Sequence, residues 1–222
     1  MKNIVALVPM RHKSERVPGK NYRPLAGKPL YHYILSTLIS CPEISQVVVD
    51  TDSQTIMAGL SRSFPQVLIL ERPVNLRGGE VPMNEVLLHD IYQINADLYL
   101  QTHSTNPLLK PGTISAAISK FRENYPIYDS LFSVTRMQTR LYDSGGRPIN
   151  HNPSILLRTQ DLPPIYEENS CLYLFTRETL ITRRNRLGER PMLFEIDARE
   201  AWDIDEELDF SIVEFLMSKG IG

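Results

Sequence analysis

Little in this chain is extreme, and each shortage excludes something. Two cysteines in 222 residues, Cys41 and Cys171, cannot build a disulfide framework and have neither metal-type nor redox-type spacing. They read as reduced thiols, as expected of a cytoplasmic protein. The formal net charge is only −2, so any basic stretch reads as a local feature rather than part of a nucleic-acid-binding surface. No apolar run is long enough to span a bilayer, and the run after Lys2 is too short for a signal peptide and runs straight into Arg11. Internal repeats are absent, as is the Pro- or Ser-rich low complexity of a disordered linker. At this length the chain makes one sizeable domain, spanning residues 1–222, rather than two.

What is present is organised around the stretch from Ile4 to Asn21. It begins as a continuous apolar run, the mark of a strand buried on both faces. At Pro9 it breaks into a loop carrying Arg11, Lys13, Arg16 and Lys20, which Pro18-Gly19 and Pro24 keep from becoming a long helix. Four cations in so short a loop suit a polyanion, and a triphosphate is the obvious small one. The alternative is a solvated basic loop.

Downstream, strands alternate with helices. Gln46–Val49, Val67–Leu70 and Leu98–Leu100 read as strands. Helical stripes follow at Leu30/Ile34/Leu38, Ile56/Met57/Leu60, Met83/Leu87/Ile91/Ile94 and Ile114/Ala117/Ile118/Phe121. This rhythm predicts an α/β fold, Rossmann-like, with a mostly parallel central sheet flanked by helices. Right-handed crossovers put every strand-to-helix loop on one rim, bringing together the cationic loop, Asp52, Arg72 and the segment from Gln101 to Asn106. From Ser130 the rhythm changes. Strands are expected at Leu131–Thr135, Leu172–Phe175 and Met192–Ile196, and a helix at Glu178–Arg184. A last helix should face inward through Leu208, Ile212, Phe215 and Leu216. Between the first two of these strands, Arg136–Pro164 has no helical period, and Tyr142–Gly146 resembles a hairpin turn. The excursion is either an exposed flap or an arm on a second subunit.

Asp203 and Asp205 lie two apart before the last helix. In an extended segment both carboxylates project to one side and could share a magnesium ion; alternatively, Asp205 is the helix N-cap. Asn169 either orients a hydroxylated ligand or turns the chain, and Arg72 is a ligand contact or a surface residue. His103, next to Ser104 and Thr105, is set aside as a catalytic base because adjacent residues seldom pair productively. The other histidines have no ligand spacing, and Trp202 reads as packing.

The loop Val8-Pro9-Met10-Arg11 with Ser14 to Asn21, then Thr51-Asp52, Arg72-Pro73, Leu100-Gln101, Asn106-Pro107-Leu108, Asn169 and Asp203-Ile204-Asp205 with Leu208-Asp209, resembles the acylneuraminate cytidylyltransferase (CMP-sialic acid synthetase) family. The resemblance spans essentially the whole chain. It implies activation of an acidic nine-carbon 2-keto-3-deoxy sugar with CTP, magnesium dependence and a homodimer formed through an inserted β-rich arm at about 133–168. Carried over, Arg11, Ser14, Arg16, Lys20, Asn21 and Arg72 would bind the nucleotide and Gln101 and Asn169 the sugar. Asp203 and Asp205 would hold the metal, and Arg11, Lys20 and Asp205 would carry the chemistry. Glu15 and Glu167-Glu168 stand where the family tends to be basic, which leaves related nonulosonates open. Activation of KDO or another sugar on the same fold, or non-catalytic sugar-nucleotide binding, are the alternatives.

Overall fold

The structure, a computed structural model, describes residues 1–220. Strand β1 (Ile4–Leu7) is buried along its whole length because parallel strands flank it on both sides. These are β4 (Gln46–Thr51) and β6 (Leu98–Thr102); β4 in turn pairs in parallel with β5 (Leu68–Glu71). Between β1 and β4 the chain makes a two-stranded ribbon, β2 (Pro24–Leu25) with β3 (Lys28–Pro29), which the sequence pattern did not announce. The sheet continues beyond β6 through β8 (Ile165–Phe175), β7 (Ser130–Met137) and β9 (Pro191–Glu195). Its seven-stranded order is β5-β4-β1-β6-β8-β7-β9. Only β8 runs against its neighbours β6 and β7. The fold is therefore the expected Rossmann-like, mostly parallel sheet.

Among the described residues, five helices pack on its faces, α1 (Tyr31–Ile39), α2 (Gln54–Ser63), α3 (Met83–Gln93), α4 (Pro111–Asn124) and α5 (Arg177–Arg183), and a sixth, α6 (Glu207–Ser218), packs against the first loop and the small ribbon. Alternation along β1 sends Ile4 and Ala6 to a core shared with α1, α2 and α4, and Val5 and Leu7 to one shared with α3 and α5. Local chemistry sets the helix starts. Ser53 caps α2 by accepting from the Ile56 N–H, Thr176 caps α5, and Pro111 opens α4.

Two expectations need correction. Helix α6 turns Phe210 and Val213 inward, against Val17, Leu25, Leu30 and Leu108, leaving Leu208 and Phe215 exposed. This helix is apolar nearly all round, so sequence offers two stripes and docking selects one. Strand β8 starts at Ile165, well before Leu172, because its outer half pairs with β7 through Val134–Met137 beyond the helix-covered core. Between these two strands, residues 138–164 leave the sheet. They carry only a short 3₁₀ turn (Thr159–Asp161) and the expected tight turn, bridged between Tyr142 and Pro148. Among the described residues no helix is long and apolar enough to cross a membrane.

Candidate active site

The loop after β1 is fastened at several points. Its first residues continue the sheet, with the Met10 N–H donating to the Asp50 carbonyl. The His12 N–H then donates to Asp52 at 2.6 Å, and the His12 ring stacks on Tyr22. At the far end, the Asn21 amide donates to the Arg11 carbonyl and accepts from the Ser104 hydroxyl, both at 2.7 Å. Gly19 turns the chain in the left-handed region (φ 67°), where a Cβ would come within 2.9 Å of the Tyr22 ring. Held this way, the loop lines a cleft of about 600 Å³, within the range of small-molecule sites. Arg11, Lys13, Ser14, Arg16, Lys20 and Asn21 line it from the loop. Arg72, Gly78, Gly79, Val81, Met83, His103, Ser104, Thr105, Ser170, Asp203 and Asp205 complete the lining. Gly79 comes close to the first loop: a Cβ there would lie 2.7 Å from a Glu15 carboxylate oxygen and 3.2 Å from Arg11.

The late carboxylates reach the cleft as expected. Glu206, not Asp205, caps α6, forming a capping box with Asp209. The Asp205 carboxylate is thereby left to the cleft, where it meets Lys20 Nζ at 3.0 Å and Arg16 Nη2 at 2.8 Å. Burial alone would raise its pKa, but Lys20 and Arg16 together outweigh that and hold it below the ordinary value. Burial raises the Asp203 carboxyl, and its Oδ1 is buried with no protein partner. One ionised carboxylate beside another with an orphaned buried oxygen is a donor set that fits a hard divalent cation such as magnesium.

The remaining candidates divide between cleft wall and scaffold. Arg72 lines the cleft, yet it is only 2% exposed and its guanidinium is tied to Asp50, itself 1% exposed. Gln101 is fully buried and not on the cleft surface. Its carbonyl oxygen accepts from Arg186 at 2.7 Å, and its nitrogen faces the Thr102 carbonyl and His103 Nε2, each at 3.1 Å. A direct sugar contact from Gln101 is thus not what the geometry provides. Asn169 is similarly committed. Its oxygen accepts from Ser133 and from the Cys171 N–H, and its nitrogen donates to Thr135. Its neighbour Ser170, at φ 57°, faces the cleft instead.

Three features escaped sequence reasoning. His103 is on the cleft surface, its pKa lowered to about 4 by burial and by Arg186 and Lys20, against a weaker pull from Asp205. Arg186, from the segment between α5 and β9, reaches back to Gln101 and lies 3.6 Å from the centre of the Tyr173 ring. Behind Arg72, Asp50, His89 and Asp90 come within metal-ligand reach of one another. Arg72 already supplies the positive charge there. A buried aspartate within an apolar strand (Asp50 in β4) and a polar residue on a helix's buried face (Asp90 in α3) were the available signals.

The chain resembles several known proteins along nearly its whole length. A synthetase for CMP:2-keto-3-deoxy-manno-octonic acid, solved with CTP, superposes with a TM-score of 0.77 over 98% of this chain and 99% of that one, at 15% identity. Among curated proteins, the CMP-N,N'-diacetyllegionaminic acid synthase of Legionella pneumophila is 28% identical, over 96% of each chain. The post-translational flagellin modification protein B of Campylobacter coli is 24% identical, over 99% of this chain and 97% of its own length. The family model described as cytidylyltransferase matches residues 5–218, and the chain belongs to that family.

Proposed function

We propose that the chain activates an acidic 2-keto-3-deoxy sugar, a sialic acid or related nonulosonate, with CTP to give the CMP-sugar and pyrophosphate. The observation that carries this reading is the cleft itself. It joins a fastened polycationic loop to an Asp203/Asp205 pair, on a fold and family of cytidylyltransferases. The curated synthase for a CMP-activated nonulosonate, alike over nearly its whole length, supports the choice of sugar class.

The chemistry is in-line displacement at the α-phosphorus by the sugar's anomeric hydroxyl. Arg11, Arg16 and Lys20 line the wall where a triphosphate would lie, and they offset the charge that builds on the departing pyrophosphate. Ser14 adds a hydroxyl to that wall. Arg72, anchored by Asp50, gives the cleft a fixed guanidinium against which the cytosine would sit, and Asn21 holds the first loop in place. A magnesium ion on Asp203 and Asp205 would polarise the phosphate and lower the pKa of the attacking hydroxyl. Lys20 keeps Asp205 ionised for that role.

The arm supplies the support for a homodimer. Ile149, Ile155, Leu156, Leu157 and Tyr166 are all exposed, Leu156 at 88%. Apolar side chains concentrated on one excursion are covered most simply by the same arm of a second copy. A reaction that draws on the nucleotide pool supports a cytoplasmic location. The nucleotide assignment is tested by calorimetric titration with the four nucleoside triphosphates. CTP alone should bind tightly, whereas equal binding of UTP would contradict it.

A further inference from the structure

The Arg186–Gln101–His103 chain fixes a proton. A guanidinium has only donors, so the Gln101 oxygen must be the atom 2.7 Å from Arg186 Nη1. The reversed amide would set N–H against N–H. The Gln101 nitrogen then has two hydrogens, for the Thr102 carbonyl and for His103 Nε2, each at 3.1 Å. A ring nitrogen that accepts must be bare. His103 is therefore a neutral imidazole carrying its proton on Nδ1. The charged groups around it agree: burial, Arg186 and Lys20 disfavour a second proton, and Asp205 only partly offsets them. With Nε2 turned towards Gln101, Nδ1–H is the polar atom left to the cleft. It has no protein partner among the described residues, nor is it one of the buried orphaned atoms.

Resting on the proposed function, we infer that His103 is a fixed neutral donor to an anionic, acceptor-only oxygen of the sugar, its carboxylate. Arg186 is the positioning residue that sets the tautomer through Gln101. The chemistry supports the sugar over the triphosphate. The four cations of the first loop match a polyanion, whereas a single neutral donor lining the same cleft suits one carboxylate. A neutral donor recognises the carboxylate without competing for the cation site on Asp203 and Asp205. A protonated histidine there would repel the metal.

Long-range ¹⁵N–¹H correlation spectra of the intact, histidine-labelled protein read the tautomer directly and need no turnover. The ligand-free protein should show His103 as the Nδ1–H form from pH 8 down to about 5. An Nε2–H form or an imidazolium at pH 7 would overturn the inference, even if the protein turns over CTP normally. CTP with magnesium should leave the His103 nitrogens in place, and N-acetylneuraminate or N,N′-diacetyllegionaminate added next should move Nδ1. Movement on CTP alone would assign the donor to phosphate and overturn the sugar assignment. Arg186→Met should mix the tautomers and raise KM for the acid about tenfold or more, with KM for CTP within about twofold. Arg186→Lys, which keeps a charged donor to Gln101, should restore the Nδ1–H form and guards against misfolding in the methionine variant. An unmixed Nδ1–H form in folded Arg186→Met would remove Arg186 from the account.

Discussion

Lys20 and Asp205 stand 185 positions apart in the chain and 3.0 Å apart in space. The ammonium also donates to the Ile204 carbonyl at 2.7 Å, so this one lysine ties the first loop to the segment that carries both late carboxylates. Lys20→Met should leave the fold intact and lower kcat about 100-fold or more, because charge on the leaving pyrophosphate loses a fixed partner. Steady-state pyrophosphate release checks it; a change confined to KM would mean that Lys20 binds substrate and transition state equally.

The Asp203/Asp205 pair predicts metal dependence. Chelation should abolish turnover, and magnesium should restore it. Asp203→Asn, which keeps shape while removing a charge, should raise the magnesium concentration for half-maximal rate about tenfold or more. Asp205→Ala should lower kcat by orders of magnitude without unfolding the chain. A normal rate in Asp205→Ala, or turnover unaffected by chelation, would remove the metal assignment.

The buried charges behind Arg72 are not equivalent. Asp50→Asn strips Arg72 of its counter-ion and should cost about 3–5 kcal/mol of stability. Burial and the neighbouring Asp50 push the Asp90 carboxyl well above its ordinary range, with Arg72 pulling the other way. Asp90 thus keeps its proton in the folded state and loses it on unfolding. A raised folded pKa contributes stability below the unfolded value, near pH 4, and loses it as pH climbs. Asp90→Asn should match the native protein near pH 4 and gain on it steadily above that, as read from thermal unfolding across pH. A constant difference would contradict the protonated carboxyl.

The arm makes a separate prediction. Ile155→Asp with Leu156→Asp places two charges on its exposed apolar surface. The native chain should run as a dimer in light scattering and the variant as a monomer, with the sheet's circular dichroism unchanged. An unaltered dimer would move the interface elsewhere.

The sheet was legible because its signals are local. A continuous apolar run means a strand buried on both faces, and alternation with amphipathic helices means parallel pairing. The rim also followed, since crossover handedness alone gathers the cationic loop, Asp52, Arg72 and the segment from Gln101 to Asn106 on one edge. What escaped was which side chains spend their hydrogen bonds inside the protein. Gln101 and Asn169 resemble ligand contacts in a motif, but their amides are taken by Arg186, His103, Ser133 and Thr135, three of them far away in sequence or from elements without a motif. His103 was set aside on a rule about nucleophile and base pairing, which says nothing about a neutral donor. The facing stripe of α6 was undecidable for the opposite reason, a helix with too many apolar residues rather than too few.

The chemistry proposed for the cleft is cytidylyl transfer to an acidic keto-sugar. Its most direct test is pyrophosphate release with CTP and magnesium against N-acetylneuraminate, its deaminated analogue, pseudaminate, legionaminate and KDO. Release with a nonulosonate and CTP, and with no other nucleoside triphosphate, is the predicted result. Release only with KDO, or tight CTP binding with no pyrophosphate from any of the acids, would contradict it.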